Sequence, residues 1–252
     1  MSLNFVSIDN GAGICKIVNK DDDLTVYVNS NKDGQQNIKC KDDDKIQPIP
    51  DKKLSRSVVY ASGKSGSGKS YFCMKYAKEY QKQNPKNEVI LFSSLTSDAG
   101  SLDKIKGLKK MNLDIEFLRD PDLLKIDNYK DCLVIFDDVD CIADKVLKTK
   151  VRAILDVILQ TGRHSHTSCL YTSHLSCKGA ETKLILNEAH LIVYFPDGTP
   201  PNTVNNLLEN YIGLDKKQIK RVNEIESRWI AVNNCSPPVL MYETGVKMLK
   251  TI

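Results

Sequence analysis

The chain has 252 residues, 41% of them apolar, with 36 Lys and Arg set against 32 Asp and Glu for a net charge of +4. That suffices for one large α/β domain with a small addition, and it excludes a chain too polar to bury a core. The basic excess is too small to establish a nucleic-acid partner by itself, and no apolar run approaches the ~18 residues of a membrane span.

Eight cysteines are scattered along the chain without a C-x-x-C pair. Several fall in apolar runs, where a thiol behaves as a small hydrophobe. With no recognisable signal peptide, they read as belonging to a reducing, cytosolic setting rather than a secreted one.

Residues 1–50 read as a small β-rich N-terminal extension packed on the edge of the main sheet, with a semi-independent module as the alternative, and residues 51–252 as the principal domain. Strands are expected at Phe5-Val6-Ser7-Ile8, Gly13 to Val18 and Leu24 to Val28, separated by polar turns. Lys41 to Lys53 reads as a charged connector. The acidic runs Asp21-Asp22-Asp23 and Asp42-Asp43-Asp44 suggest a metal only weakly, because such runs are usually solvated turns.

From Leu54 onward strand and helix patterns alternate, as in a doubly wound sheet. Val58 to Ala61 is the first strand. Gly63-Lys64-Ser65-Gly66-Ser67-Gly68-Lys69-Ser70 follows, a complete G-x-x-x-x-G-K-[ST] phosphate-binding loop, and from Tyr71 a helix runs to about Gln83. Strand, glycine-rich turn and helix are the context the motif requires. Glycines let the backbone wrap an anion with its N–H groups inward, and the helix N-terminus adds to the pull. Gly63 to Ser70, with Tyr71, are expected to bind the nucleotide, Lys69 reaching the β- and γ-phosphates of ATP and Ser70 ligating Mg²⁺.

Glu88 to Ser93 is the next strand. The Lys-rich stretch from Leu95 to Met111 has some helical periodicity, and Leu113 to Leu118 alternates like an edge strand. Cys132 to Asp138 is an apolar run ending in two carboxylates, the pattern of a buried parallel strand with acids at its C-terminal tip. Ligands bind beyond such tips, so this one should meet the phosphate loop. Asp137 is assigned to the Mg²⁺ shell, and Asp138 to orienting and deprotonating an attacking water.

Asp144 to Gln160 forms an amphipathic helix. A strand, Thr167 to Thr172, carries His174 at its C-terminal tip, beside the expected phosphates. Arg163 lies at the strand's other end, where it reaches phosphate only in a neighbouring subunit, as an arginine finger in trans; capping of helix carbonyls is the competing role. His164, His166, Cys169, His174 and Cys177 invite a zinc reading, but they divide between the two ends of one strand. A helix from Glu181 to His190, a strand from Leu191 to Phe195, two short helices (Thr203 to Asn210, Asp215 to Asn223) and late strands at Arg228 to Val232 and Val239 to Tyr242 complete the pattern.

Three segments together resemble the poxvirus-type genome-packaging ATPases of large nucleocytoplasmic DNA viruses and virophages, within the FtsK–HerA superfamily. They are the loop GKSGSGKS, the strand CLVIFDD and the run TGRHSHTSCLYTSHLSCKGAETKLILNEAHLIVYF; the closing SRWIAVNNCSPPVLMYE is similar to that family's C-terminal end. The resemblance covers about Leu54 to Tyr242 and implies a P-loop NTPase fold. It implies ATP hydrolysis with Mg²⁺ in a hexameric or pentameric ring that moves double-stranded DNA into a capsid, with capsid or portal components as partners and the infected host cell's cytoplasm as location. It supports Arg163 as a trans finger and His174 as a polar sensor. Many superfamily members carry Glu or Gln where Asp138 and His174 stand. A helicase, a remodelling ATPase, a nucleotide-gated scaffold and a small-molecule kinase remain as alternatives. Lysines near Lys104 to Lys110 and Lys178 are candidates for DNA contact.

Overall fold

The computed structural model describes the whole chain except Asp9, Lys20, Asp21, Lys32, Asp42, 95–99, Leu175, Lys178, Cys235 and Ser236, together with the side chains of Ala180 and Glu181. Parts of both acidic runs, the start of the Lys-rich stretch and Lys178 therefore lie outside the described residues.

Fourteen strands and six α-helices are described: β1 (Ser2–Asn4), β2 (Ala12–Val18), β3 (Asp23–Asn29), β4 (Asn37–Lys39), β5 (Lys45–Pro48), β6 (Val58–Ser62), α1 (Lys69–Gln83), β7 (Val89–Ser93), β8 (Leu108–Lys110), α2 (Ile115–Arg119), β9 (Leu133–Asp137), α3 (Lys145–Thr161), β10 (Ser168–Ser173), α4 (Ala180–Glu188), β11 (Leu191–Tyr194), α5 (Pro201–Asn210), α6 (Lys216–Asn223), β12 (Ile230–Asn233), β13 (Val239–Tyr242) and β14 (Gly245–Met248). Ten strands form one sheet in the order β4-β14-β13-β12-β11-β6-β10-β9-β7-β8. From β11 to β8 the neighbours are parallel, and from β11 to β4 they are antiparallel.

Strands β6, β7, β9, β10 and β11 are buried along their whole length, which is why they read as unbroken apolar runs. Their residues divide by parity between two cores. Val58, Tyr60, Val134 and Phe136 face α3, while Val59, Ala61, Leu133 and Ile135 face α1. The registers align the polar strand ends: Ser173 pairs with Ser62, and Ser93 with Asp137. One edge of an otherwise apolar sheet is thus a row of hydroxyls and a carboxylate.

Helix α3 is started by Asp144, whose carboxylate accepts from the N–H groups of Val146 and Leu147, and only its Val151, Ile154, Leu155, Ile158 and Leu159 side is buried. Its last turn is capped by the buried Arg56, which donates to the carbonyls of Ile158 and Leu159 and pairs with Glu188 at 2.9 Å. His190 accepts the Val58 N–H at 3.0 Å through Nδ1, and burial, with Arg56 nearby, lowers its pKa. Arg56 and His190 thereby fix the start of the strand that delivers the phosphate loop.

The N-terminal residues form their own four-stranded sheet, β1-β3-β2-β5, and lend β4 to the edge of the large one. Leu3, Ile14, Cys15, Ile17, Val26 and Ile46 share a core with Phe72, Cys73, Tyr76 and Ala77 of α1. Lys16 pins the two together, its ammonium 2.8 Å from Glu79 of α1.

Several sequence expectations are corrected. Leu113 to Leu118 is no strand: the Asp114 carboxylate accepts from the Phe117 N–H and starts helix α2, leaving Ile115 61% exposed. The sheet edge is instead β8, within the Lys-rich stretch, where a 3₁₀ turn at Leu102–Lys104 is the only helical element described. Phe5 to Ile8 is a loop with Val6 exposed; the strand lies earlier, at β1. The connector from Lys41 to Lys53 contains β5, which pairs with β2. The helix expected to reach His190 ends at Glu188.

The Lys16–Glu79 pair generates a prediction. Burial pushes the Glu79 carboxyl up, but hydrogen bonds and charge from Lys16 and Lys82 outweigh it and hold it below its ordinary value. For Lys16 burial likewise opposes, and Glu79 and Asp23 still raise the ammonium. A depressed carboxylate contributes stability above its unfolded pKa and loses it as pH falls through the folded one. A raised ammonium loses its contribution as pH rises through its folded pKa. The pair is therefore fully effective between the ordinary values of 4.5 and 10.5. Lys16→Met should cost about 1–2 kcal/mol in urea unfolding at pH 7, short of the ~3–5 of a fully buried pair because Lys16 keeps part of its surface in water and Lys82 remains. The difference from wild type should shrink below pH 4.

Candidate active site

The phosphate loop leaves β6 tied to its neighbour: the Gly63 N–H donates to the Ser173 carbonyl at 3.1 Å. Gly66 and Gly68 have φ of +74° and +109°, a region that L side chains rarely adopt. A Cβ on Gly63 would come within 2.8 Å of Phe195 and 2.9 Å of the Ser67 hydroxyl. Helix α1 then starts at Lys69 with no side-chain cap and no acidic residue in its first turn, so its leading N–H groups are left for an anion. Among the described residues the buried Ser67 hydroxyl has no hydrogen-bond partner. Tight glycines, an uncapped helix start and an orphaned hydroxyl together fit a polyphosphate.

Lys69 is 4% exposed and donates to the carbonyls of Gly63 and Lys64 at 2.9 and 3.2 Å. Its ammonium is 3.8 Å from Asp138 Oδ1. Ser70 Oγ stands 3.4 Å from Asp137 Oδ1. The loop and the acidic strand tip therefore meet, as their sequence pattern implied. The Ser70 hydroxyl and the Asp137 carboxylate are hard oxygen donors, a set that suits Mg²⁺ sharing its remaining positions with phosphate and water.

Thr172 holds the acids in place, and sequence reasoning missed it. Its hydroxyl lies 3.0 Å from Asp137 Oδ1 and 3.2 Å from Asp138 Oδ1, and it accepts the Asp138 N–H at 2.9 Å. The signal was faint: a threonine just before a strand's polar tip has no marked spacing to the acids. Asp138 itself has φ +49° and ψ +33°, an uncommon conformation for a non-glycine residue that aspartate tolerates and that recurs at functional sites. The turn lets Asp138 face Lys69 on one oxygen and His174 on the other, with His174 Nε2 3.1 Å from Oδ2. Next to them Ser173 donates to Asp140 at 3.0 Å.

The other expected residues divide. Ser65 is exposed and Ser67 half-buried in the loop. The Lys64 side chain turns toward Asp197, at 3.6 Å with both groups exposed, which leaves its backbone to the loop. Tyr71 is 52% exposed in the first turn of α1. Arg163 is exposed and precedes β10, whereas His174 follows it, so the chain's own fold leaves Arg163 at the opposite end of that strand from the acids. Of the zinc candidates, Cys169 is fully buried within β10, His174 is engaged by Asp138, and His166 lies 3.2 Å from Asp131 at the far end. Among the described residues no group of three or more His, Cys, Asp or Glu is placed to hold a metal, and no helix is long and apolar enough to cross a membrane.

Comparison with known proteins places this geometry in context. No family model matches the chain. Over 225 residues it is 40% identical to protein V3 of the Sputnik virophage, an alignment covering 88% of this chain and 89% of V3. Its fold is similar to that of the genome packaging NTPase B204 from Sulfolobus turreted icosahedral virus 2 in complex with ATPγS (TM-score 0.51, 17% identity, 74% of this chain and 97% of that one). It is also similar to B204, the DNA-packaging ATPase from Sulfolobus turreted icosahedral virus (TM-score 0.50, 14% identity, 75% and 97%). At those identities the structural likeness concerns the fold, a mainly parallel P-loop NTPase sheet flanked by helices.

Burial, and then the charge of Asp138, raise the Asp137 carboxyl above its ordinary value despite Thr172, Lys69 and Ser70. A buried carboxylate held against its preference costs stability until a cation offsets it. Asp137→Asn should therefore raise the melting temperature of the metal-free chain by a few degrees, about 1 kcal/mol, while removing the stabilisation that Mg²⁺ with nucleotide gives the wild type. A metal-free Asp137→Asn protein that melts well below wild type would contradict this account.

Proposed function

The chain belongs to the family of the Sputnik virophage V3 protein, and we propose that it is an ATPase that drives double-stranded DNA into a viral capsid. The observation that carries the chemistry is the convergence of Lys69, Ser70, Asp137, Asp138 and His174 at one end of the parallel sheet. The packaging task rests on the shared fold with the B204 proteins, which are described as genome-packaging and DNA-packaging enzymes, and on the virophage relative.

In this reading the loop N–H groups and Lys69 hold the β- and γ-phosphates of ATP. Ser70 and Asp137 would hold Mg²⁺, which would supply neutralisation of developing phosphate charge. Asp138 accepts the proton of the water that attacks the γ-phosphorus in line, as the bond to the β-phosphate oxygen breaks to give ADP and phosphate. His174 bonds to the second Asp138 oxygen and fixes the direction of the first. Thr172 clamps the Asp138 backbone, so the base is positioned from two sides. In this scheme Arg163 works from a neighbouring subunit, which makes turnover depend on a ring, pentameric or hexameric, assembled with capsid or portal components in the infected cell's cytoplasm.

The test is ATP hydrolysis with and without duplex DNA, measured beside solution mass. Turnover should rise with DNA, fall as salt is raised, and vanish in Lys69→Ala. Arg163→Ala should keep nucleotide affinity and lose roughly 10³-fold or more in turnover, recovering in part when mixed with Asp138→Asn. ATPase activity indifferent to duplex DNA at every salt concentration would remove the packaging assignment and leave a remodelling ATPase. Nucleotide binding without turnover in assembled rings would point instead to a nucleotide-gated scaffold.

A further inference from the structure

A cavity of about 600 Å³ opens beside the phosphate loop at Gly68 and follows the exposed side of α1 past Tyr71 and Lys75. Its volume is in the range of small-molecule sites. One wall is aromatic. Tyr71, about half exposed, lines it, with the Lys75 ammonium 5.7 Å from its ring centroid. Trp229, just before β12, lies edge-on to the buried Phe72 with ring centroids 5.5 Å apart. The opposite wall comes from the N-terminal sheet: Gln47 of β5, with Asp43 and Asp44 just before it.

The two walls are held as a unit. Lys16 joins the N-terminal sheet to α1 through Glu79, Ile46 and Phe72 share one core, and the Ile46 N–H donates to the carbonyl of Glu243 in the β13–β14 turn. That turn is tied in its own right to the residue beside Trp229: the Arg228 N–H donates to the Glu243 carboxylate at 3.1 Å. The Arg228 guanidinium extends back over the phosphate loop, where a Cβ added to Gly68 would meet it at 3.4 Å.

We propose that this cavity receives the purine base and ribose of the nucleotide, and that the N-terminal sheet is a structural part of the nucleotide site. The inference rests on the phosphate loop holding a polyphosphate. With the phosphates in that cradle, the rest of a nucleotide must leave it toward open space, and the cavity begins at the loop's last glycine. Aromatic faces at Tyr71 and Trp229 suit a planar base. The acceptors on Gln47, Asp43 and Asp44 suit its amino group and the ribose hydroxyls. Arg228 brings a cation to the junction between ribose and phosphate. The first fifty residues, to which the sequence assigned no chemistry, thereby close the site from the side opposite the motor's own sheet.

Trp229 is the chain's single tryptophan, which makes its emission a direct reporter. The full chain is titrated with Mg²⁺–ATPγS and, separately, with Mg²⁺–tripolyphosphate, which has the phosphates without base or ribose; a calorimetric titration gives both affinities. ATPγS should shift Trp229 emission saturably, and tripolyphosphate should compete with it while leaving the emission near its starting value. Gln47→Ala should weaken ATPγS about fivefold and Tyr71→Ala about tenfold, with tripolyphosphate affinity unchanged in both. Trp229 emission that ignores saturating ATPγS, or variants that lose affinity equally for both ligands, would overturn the proposal while leaving the phosphate loop intact. Failure of the wild-type chain to bind either ligand would remove the phosphate-loop reading and this inference with it.

Discussion

Everything at this site depends on one buried ammonium. Lys69 is almost fully enclosed at the start of α1, 3.8 Å from a carboxylate that immediately follows a strand two positions away in the sheet. A cation in that position is costly without partners. It has them because β6, β10 and β9 are in register, so that the loop after β6 and the acids after β9 emerge at one level. The intervening strand β10 supplies Thr172 as the spacer that holds both acids. Two carboxylates share one ammonium there, and burial, then the charge of Asp138, raise the Asp137 carboxyl. Such a site is poised for a divalent cation and an anionic partner together.

The rest of the fold serves that alignment. Arg56 and His190 secure the far end of β6, and the two cores clamp the sheet between α1 and α3. The N-terminal sheet packs on the α1 side and is joined to that helix through Lys16 and Glu79. A module that looked like an appendage in the sequence is joined by charge and by shared core to the helix that carries the chemistry.

What was legible in the sequence follows from how each feature is encoded. The parallel strands are buried on both faces, so their apolar runs announce them. The phosphate loop is encoded in local backbone demands and reads as one contiguous motif. Features set by tertiary contacts were not legible. Thr172 looks like any strand threonine until β9 lies beside it. Leu113 to Leu118 carries a strand's alternation, but one aspartate cap decides for helix. Strands β4, β5, β8 and β14 are only three or four residues long, mix lysine with apolar positions, and exist because neighbouring edges offer hydrogen bonds. The pairing of Asp138 with His174, 3.1 Å apart, was likewise not legible, because it depends on the turn after β9 meeting the tip of β10.

The most direct test of a single metal–triphosphate site is pulsed electron paramagnetic resonance of Mn²⁺ substituted for Mg²⁺, in the presence of a non-hydrolysable ATP analogue. The account predicts protein-bound Mn²⁺ coupled to phosphorus nuclei. Asp137→Asn should lose the bound Mn²⁺ signal, and Lys69→Ala should lose the phosphorus coupling. Mn²⁺ that binds equally well in wild type and Asp137→Asn, with no phosphorus coupling in either, would contradict it.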